Sequence, residues 1–317
     1  MSSLIFRDVS DNLSTMKILI VGLGAIGAGF GGPSDEENHA FLSEQAGFNL
    51  VGGVDPDSDK RSEYARRYGA PTFDSVELAA NLSPDVVVIA TDAVNHKINL
   101  ELAIEFFPSA ILICEKPFGS SYAESLDMAE AALDKNIKMF VNYSRQHSIG
   151  YGDLLTQIKG GLQGGTVVYN YGITRSCSHY IRLCIGLFGE PLDFRISRDD
   201  FNLNSNPSFT LEYGNGINIE FVGVQNLGTR IAEFNLITDS EVIQISQGIE
   251  WELKKKGVEG NPNWVADLEE ITRGNLSGGL ANLYSDLFSK RTPSLNLEIL
   301  HDALPNKIID KVIKNEK

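Results

Sequence analysis

The chain has 317 residues, of which 42% are hydrophobic, and a formal net charge of −15. This is enough apolar sequence for two packed domains, and the negative charge disfavours nucleic acids and anionic membranes as partners. No stretch approaches the roughly 20 apolar residues that a membrane helix requires. The scattered histidines and the three cysteines, Cys114, Cys177 and Cys184, show no metal-binding spacing. We therefore expect a cytoplasmic protein with reduced thiols and no metal.

Composition and pattern divide the chain into three parts. The start is polar and lacks the basic residues and apolar core of a signal peptide. We predict a loose N-terminal arm at residues 1–15, a first domain at residues 16–141 and a second domain at residues 142–317.

The first domain alternates short runs rich in Val and Ile with helical segments. The runs predicted as strands buried on both faces are Lys17–Val21, Asn49–Val54, Val86–Ala90, Ile111–Cys114 and Lys138–Val141. The clearest helix, about Tyr122–Lys135, follows a capping box formed by Ser121 and Glu124. This β-α-β rhythm predicts an α/β fold with a doubly wound parallel sheet of the Rossmann type.

The pattern changes at about residue 142. Thr166–Tyr171 and several segments between Asp193 and Ser246 have strand character, separated by turn signals, which predicts a mainly antiparallel sheet. The predicted helices are Gly152–Lys159, Ser178–Phe188, Trp264–Thr272, Leu280–Phe288 and Leu297–Lys314. We expect Trp251 and Trp264 to serve packing.

A glycine-rich turn follows the first predicted strand. Gly22 would permit a tight turn, Gly24 the approach of a pyrophosphate to the backbone, and Gly27 the close packing of helix on strand. The predicted cofactor-binding residues in this turn are Gly22, Gly24, Ala25, Ile26 and Gly27. An ordinary glycine turn is the alternative, and the acid that ends the next strand weighs against it.

That acid is Asp55, whose carboxylate could bond both ribose hydroxyls of NAD and would repel the extra phosphate of NADP. The alternative is a turn-forming aspartate before Pro56. Arg61 argues for NADP instead, because a nearby arginine can pair with a 2′-phosphate. Since Asp55 lies farther from Gly27 than the usual spacing of about 20 residues, we expect residues 29–38 to form an inserted loop or to delay the helix.

Thr91 and His96 follow the third predicted strand, and ligands of open α/β sheets bind at such strand ends. They are therefore predicted to border the nicotinamide. For His96 an equally good interpretation is a surface residue at the start of a helix.

Lys116 is the first candidate catalytic residue. It ends the fourth strand and precedes Pro117, which restricts its backbone to extended shapes and makes the bond a candidate for the cis form. A half-buried lysine beside a cationic nicotinamide loses proton affinity and could accept a hydroxyl proton. Glu115 would bond a cofactor ribose or orient Lys116. A surface Glu-Lys pair in a turn is the alternative.

His179 is the second candidate, because an imidazole at the start of the Ser178–Phe188 helix could bond the substrate oxygen. A locally packed histidine is the alternative. Tyr143 and Arg145 follow the fifth strand and are predicted to line the substrate cleft, with a domain hinge as the alternative.

Taken together, these motifs resemble the Gfo/Idh/MocA family of oxidoreductases. The resemblance rests on the glycine turn, Asp55, the segment from Ala90 to His96, Glu115-Lys116-Pro117, and Ser178-His179 with Gly189-Glu190-Pro191. It implies a second α/β domain with an open sheet, and a homodimer or homotetramer formed through that sheet. It also implies sugar, polyol or sugar-nucleotide substrates, with Lys116 and His179 acting on the substrate hydroxyl.

The chain departs from the family pattern near the histidine. Many catalytic members have Asp, and some have Asn, four residues before it, where this chain has Arg175. Arg182 stands where the family often has Asp, and Arg145-Gln146 stands in place of an arginine pair. Arg175 would lower the proton affinity of His179 if close. Either it binds an anionic substrate, such as a uronate or sugar phosphate, or the catalytic apparatus has decayed.

The leading hypothesis is an oxidoreductase that transfers a hydride between NAD, or less readily NADP, and a secondary alcohol of a sugar, polyol or sugar nucleotide. Arg175, Tyr143 and Arg145 would join Lys116 and His179 in binding the substrate. A catalytically silent regulatory protein that senses NAD or sugar is the alternative. A third possibility is a hydrolase that oxidises its sugar transiently and keeps its NAD bound.

Overall fold

The structure is a computed structural model, and it describes residues 15–31, 36–158, 160–197, 205–225, 227–256, 268–289 and 298–314. The predicted N-terminal arm, apart from Thr15, lies outside these residues, as does Trp264. Among the described residues, no helix is both long enough and apolar enough to cross a membrane.

The first sheet has six parallel strands in the order β3-β2-β1-β4-β5-β6. Its strands are β1 (Lys17–Val21), β2 (Asn49–Val54), β3 (Thr72–Phe73), β4 (Val86–Ile89), β5 (Ile111–Cys114) and β6 (Met139–Val141). The central strands carry Val, Ile and Leu on both faces because helices cover both sides of the sheet. The predicted doubly wound parallel sheet is confirmed, and the short strand β3 is an addition that the sequence analysis did not predict.

The helices of this region are α1 (Ala25–Ala28), α2 (His39–Gln45), α3 (Ser58–Tyr68), α4 (His96–Phe106) and α5 (Tyr122–Asp134). The serine half of the predicted capping box is confirmed at α5, where the Ser121 hydroxyl accepts a hydrogen bond from the Glu124 amide at 3.2 Å. The Glu124 carboxylate accepts from the Ser120 amide at 2.6 Å instead of from that of Ser121. The predicted interruption after the glycine turn is confirmed too. The first helix ends after one turn at Gly29, whose φ is 85°, and the helix resumes at α2 with Asn38 as its N-cap.

The second sheet has eight strands in the order β14-β13-β12-β11-β7-β10-β9-β8. Its strands are β7 (Leu162–Tyr169), β8 (Asp193–Ile196), β9 (Phe209–Glu212), β10 (Asn218–Gly223), β11 (Ala232–Thr238), β12 (Glu241–Ser246), β13 (Glu250–Lys256) and β14 (Leu268–Asn275). The strands β7 and β10 pair in parallel, and the other neighbours pair antiparallel. The predicted mainly antiparallel sheet is confirmed.

The predicted helix at Trp264–Thr272 is wrong in its described part, because Leu268–Asn275 forms β14 along the full length of β13. Gly274 lies against the buried ring of Trp251, and a Cβ there would come within 2.4 Å of that ring. Strand pairing and this close approach therefore override the helical character of the local sequence.

The remaining helices are α6 (Ile149–Gln157), α7 (Ser178–Phe188), α8 (Gly279–Phe288) and α9 (Glu298–Lys314). A π-helix, Ile173–Cys177, runs directly into α7. The last two helices return to the first sheet. Tyr284 of α8 joins the core on one face of that sheet, and Ile299 of α9 joins the core on the other.

A buried ion pair joins α7 to α9. The Nε of Arg182 lies 2.6 Å from Oδ1 of Asp302, and the two residues are only 4% and 8% exposed. Arg182, one of the departures from the family pattern, is therefore neutralised inside the protein.

We expect Asp302→Ala to lower the free energy of unfolding by about 3–5 kcal/mol, because it leaves the Arg182 charge buried without this partner. The measurement is chemical denaturation monitored by circular dichroism. Glu190→Gln is the control, since it breaks the exposed ion pair with Lys307 and should cost less than about 1 kcal/mol. Equal losses in the two variants would contradict the assignment.

Candidate active site

The glycine turn after β1 has the shape that a phosphate group requires. Gly22 has a φ of +92°, and a Cβ there would lie 2.6 Å from the carbonyl oxygen of Ala90. A Cβ on Gly27 would lie 1.8 Å from the carbonyl oxygen of Gly22. In contrast, no atom comes within 4 Å of the Cβ position of Gly24, so the backbone is open to a ligand at that point. Ala25 and Ile26 begin the single turn of α1, and Ile26 is 47% exposed.

Asp55 follows β2 and faces this turn. The residue is 5% exposed, and Oδ2 accepts a hydrogen bond of 2.8 Å from the Leu23 amide. The ammonium of Lys60 lies 3.7 Å from the same oxygen. One guanidinium nitrogen of Arg61 donates instead to two backbone carbonyls, including that of Asp55 at 2.7 Å. Together with the open turn, this arrangement fits a dinucleotide, with the carboxylate at the ribose position.

The two candidates after β4 differ in what they offer to a ligand. His96 is 1% exposed, and its ring nitrogens lie 3.0 Å from the carbonyl oxygen of Phe118 and 2.9 Å from that of Thr91. The imidazole thus ties together the segments that follow β4 and β5, and neither nitrogen remains for a cofactor. The Thr91 hydroxyl is buried and has no hydrogen-bond partner among the described residues, so it remains available to a ligand.

A cleft of about 380 Å³ opens at the carboxyl ends of β5 and β6. It brings the adjacent residues Glu115 and Lys116 together with Arg145 and His179, which lie farther along the sequence. The described residues that complete its lining are Ile26, Glu37, Leu42, Asn142, Ser144, Ile249, Leu276, Ser277, Gly278, Gly279, Leu280 and Ala281. No group of three or more His, Cys, Asp or Glu residues suited to a metal ion occurs in the described part of the chain.

Lys116 extends from the end of β5 across this cleft. The peptide bond between Lys116 and Pro117 is cis. The ammonium donates a hydrogen bond of 3.1 Å to the carbonyl oxygen of Arg175 in the π-helix. Burial lowers the pKa of Lys116, and the charges of Arg175 and Arg145 lower it further, against the opposing charge of Glu115. The lysine is therefore held in place with weakened affinity for its proton.

His179 lies in the same cleft and is uncharged at neutral pH. Burial holds the pKa of His179 well below its usual range, and the charges of Arg145, Lys116 and Arg230 add to this effect. Its Nδ1 is buried and has no partner among the described residues. The imidazole can therefore form a hydrogen bond to a substrate oxygen without carrying charge.

Three further candidates have distinct positions. Tyr143 is 1% exposed and does not line the cleft, but its ring packs edge-on against that of His179 at 5.8 Å. Arg145 lines the cleft, donates from Nε to the Gly248 carbonyl at 2.6 Å and lies over a tyrosine ring. Burial lowers the pKa of Arg145. The side chain of Arg175 is exposed, and its charge acts on Lys116 rather than on His179.

Glu115 is the anchor of a buried hydrogen-bond network. Its Oε1 accepts from the Nε2 of His39 at 2.9 Å and from the amide of Asn142. Burial alone would raise the pKa of Glu115, but the hydrogen bond and charge of His39, the charge of Lys116 and the Asn142 amide lower it. The Tyr284 hydroxyl lies 2.5 Å from Nδ1 of the same histidine. Glu115 is thus an ionised carboxylate held away from solvent.

Sequence reasoning missed four residues of this region. Asn142 directly follows β6, and the strand-end rule that selected Lys116 could have selected it too. His39 and Tyr284 reach Glu115 from distant segments, and Arg230 acts on His179 from an exposed loop. No local pattern marks these three.

Comparison with known proteins concerns both sequence and fold. Residues 16–143 match the model of an oxidoreductase family with an NAD-binding Rossmann fold, the Gfo/Idh/MocA family. No curated protein matches the chain. The fold is similar to that of UDP-N-acetylglucosamine 3-dehydrogenase GnnA from Acidithiobacillus ferrooxidans, with a TM-score of 0.74, 13% identity and coverage of 96% of this chain and 99% of that one.

Two other similar folds have ligands bound. Levoglucosan dehydrogenase, in complex with NADH and levoglucosan, has a TM-score of 0.74 at 13% identity and covers 96% of this chain and 98% of its own. An oxidoreductase from Agrobacterium radiobacter, in complex with NAD+, L-tartaric acid and magnesium, has a TM-score of 0.71 at 16% identity, with coverage of 96% and 98%. The resemblance seen in the motifs is thus supported over residues 16–143, which match the model of that NAD-binding oxidoreductase family.

Proposed function

We propose that the protein is a dehydrogenase that uses NAD and oxidises a secondary alcohol of a sugar, polyol or sugar nucleotide that carries negative charge. The observation that carries this proposal is a half-buried lysine with a lowered pKa, Lys116, in one cleft with the uncharged His179. A group that accepts a proton and a neutral hydrogen-bonding group are what a hydroxyl needs when its carbon loses a hydride.

The chain offers a complete set of groups for the cofactor. Gly22, Gly24 and Gly27 would receive the pyrophosphate, Asp55 the ribose hydroxyls, and Thr91 a polar group near the end of β4. NAD, when bound, supplies the acceptor for the hydride that leaves the substrate carbon.

The chain's own residues handle the proton that leaves the substrate hydroxyl. In the oxidation direction, Lys116 accepts the hydroxyl proton at Nζ as the carbon–oxygen double bond forms, and the lysine is left as an ammonium. Its contact with the Arg175 carbonyl limits where Nζ can lie before the substrate arrives. His179 donates or accepts a hydrogen bond at the same substrate oxygen and stays neutral throughout.

The charges around the cleft support an anionic substrate. Lys116 and Arg145 line the cleft, and Arg175 and Arg230 are close enough to act on the two catalytic groups. These cations gather on a chain whose net charge is −15. A carboxylate or phosphate on the substrate would neutralise them and supply orientation as well as affinity. UDP-sugars and tartaric acid, which carry such groups, occur among the names of proteins with similar folds.

Nothing in the site favours a catalytically silent regulatory protein over an enzyme. The proposal includes a cytoplasmic location and a homodimer or homotetramer. All three cysteines, Cys114, Cys177 and Cys184, are buried free thiols, which supports a reducing compartment.

We expect Lys116→Met to reduce turnover by at least about 10³-fold, because the group that accepts the proton is lost. The affinity for NAD should be nearly unchanged, since the glycine turn and Asp55 are untouched. Stopped-flow detection of NADH across a panel of sugars gives the rate, and calorimetry gives the affinity. Lys97→Met, which alters an exposed ion pair with Asp127, is the control. Full turnover in the Lys116 variant would remove this lysine from the mechanism.

We expect Asp55→Asn to raise the ratio of kcat/KM for NADP to that for NAD by at least about tenfold, because the repulsion of a 2′-phosphate disappears. The amide keeps an oxygen that can accept from Leu23. Asp57→Asn is the matched control, since it removes the same charge at the N-cap of α3. The cofactor choice would be unrelated to Asp55 if both variants kept the wild-type ratio.

We expect Arg175→Gln and Arg230→Gln each to raise KM about tenfold for a uronate while leaving KM for the matching neutral sugar unchanged. The same preference should weaken as salt rises. Arg195→Gln is the control for net charge, because Arg195 is exposed on β8 and pairs with Glu212. Equal changes for both sugars would argue against charge recognition.

A further inference from the structure

A chain of buried polar groups lies behind the catalytic lysine. It runs from the Tyr284 hydroxyl to Nδ1 of His39, 2.5 Å away, and from Nε2 of His39 to Oε1 of Glu115, 2.9 Å away. Tyr284 and His39 are fully buried, and Glu115 is 6% exposed. Glu115 immediately precedes Lys116 in the chain, and its Oε2 accepts a hydrogen bond of 3.3 Å from the Lys116 amide.

The direction of the hydrogen bonds follows from the groups themselves. An ionised carboxylate can only accept, so Nε2 of His39 carries the hydrogen that points at Glu115. Burial and the charge of Glu115 keep the pKa of Tyr284 well above its usual range, so its hydroxyl keeps its proton and can donate to Nδ1. The imidazole therefore contacts both neighbours, and it donates its hydrogen bond to Glu115 from Nε2.

His39 lies at the point where the helix resumes after the interruption between α1 and α2. Helix α1 stops at Gly29, and the chain re-enters helix at α2, whose first residue is His39. Asn38, which is fully buried, fixes that start by accepting a hydrogen bond of 2.9 Å from the Phe41 amide. The start of α2 at Asn38 thus places the His39 imidazole against Glu115.

The electrostatic consequence reaches Lys116. A buried carboxyl without a donor would tend to take up a proton, and the His39 contact opposes this. An ionised Glu115 in turn supports the charged form of Lys116 against burial and the charges of Arg175 and Arg145. The other charged or titratable groups that face this pair are His179 across the cleft, Cys114 on β5 and Glu37 before α2.

We propose that His39 is a positioning residue for the reaction: it keeps Glu115 ionised beneath Lys116 and thereby sets the proton affinity of the lysine. The inference rests on the proposed dehydrogenase function for its catalytic meaning. The contact itself is a property of the protein without substrate or cofactor, so it can be tested separately from turnover.

The test compares two substitutions of His39 by residues with amide side chains. In His39→Gln the side-chain nitrogen can take the place of Nε2 and donate to Glu115. In His39→Asn the shorter amide takes the place of Nδ1 and faces Tyr284, so Glu115 loses the His39 donor and keeps only those of Asn142 and the Lys116 amide. Circular dichroism and thermal melting would establish that both variants fold.

The first measurement is the titration of Lys116 by NMR of protein labelled with 13C-lysine, assigned through Lys116→Arg, in the absence of cofactor. In His39→Asn we expect the midpoint to fall by about one pH unit, because a neutral Glu115 no longer supports the ammonium. In His39→Gln it should stay near the wild-type value. Glu115→Gln should lower the midpoint as His39→Asn does, and the double variant should add little to Glu115→Gln alone.

The second measurement is the pH profile of kcat/KM for alcohol oxidation, whose acid limb should move with the Lys116 midpoint. An unchanged midpoint in His39→Asn, equal shifts in the two amide variants, or additive shifts with Glu115→Gln would each overturn the role of His39. If no sugar is oxidised by the wild-type protein, the proposed function fails, whereas the NMR titration still decides the His39 contact.

Discussion

All six strands of the first sheet run in the same direction, and the geometry of the cleft depends on this. In register, Ile89, Cys114 and Val141 end β4, β5 and β6 side by side. The ladder continues one step further, since the Glu115 amide donates to the Ile89 carbonyl at 2.9 Å and the Asn142 amide to the Cys114 carbonyl at 2.8 Å. Residues that follow different strands therefore leave the sheet together, which is why the side chains of Glu115 and Asn142 meet.

The buried cations differ in their hydrogen-bond partners: one is paired with a carboxylate, and others donate to backbone carbonyls. Arg182 is paired with the carboxylate of Asp302 and is neutralised in the interior. In the cleft, Lys116 donates to the carbonyl of Arg175 and Arg145 donates to the carbonyl of Gly248. A carbonyl satisfies the donor but does not cancel the charge. Lys116 and Arg145 therefore keep their charges at a cleft that Glu115 and Glu37 also line, whereas Arg182 is paired in the ion pair between α7 and α9.

The sequence predicted features whose signals lie within a few neighbouring residues, and it failed where distant segments decide the structure. Buried runs of Val and Ile predicted five of the six parallel strands, and the strand-end rule then led to Asp55 and Lys116, because each lies next to its strand. Helix propensity failed at β14, where pairing with β13 decides the structure. His39 was beyond local reasoning altogether, because its partner Glu115 is brought to it by the fold.

Local sequence reasoning also could not predict the direction in which a side chain points. A position after a strand does not say whether the residue turns outward to the cleft or inward to the core. Tyr143 and His96 follow strands as Lys116 does, yet the first packs into the core behind His179 and the imidazole of the second lies between two backbone carbonyls. Their contribution to the site is to fix its walls.

With Arg175 in place of the family's Asp or Asn, the site still contains titratable groups that could carry a proton, and they differ in pKa and in access to the cleft. Burial, with the charges of Arg145, Lys116 and Arg230 adding to it, lowers the pKa of His179, so His179 is uncharged and has no imidazolium proton to donate. Glu115 is ionised, but Oε1 receives hydrogen bonds from His39 and Asn142, and the carboxylate is shielded from solvent. Of the titratable groups described in the cleft, Lys116 combines a lowered pKa with a side chain that extends into the open space. This is why we propose the lysine as the group that accepts the proton, with its proton affinity set by burial and the neighbouring charges.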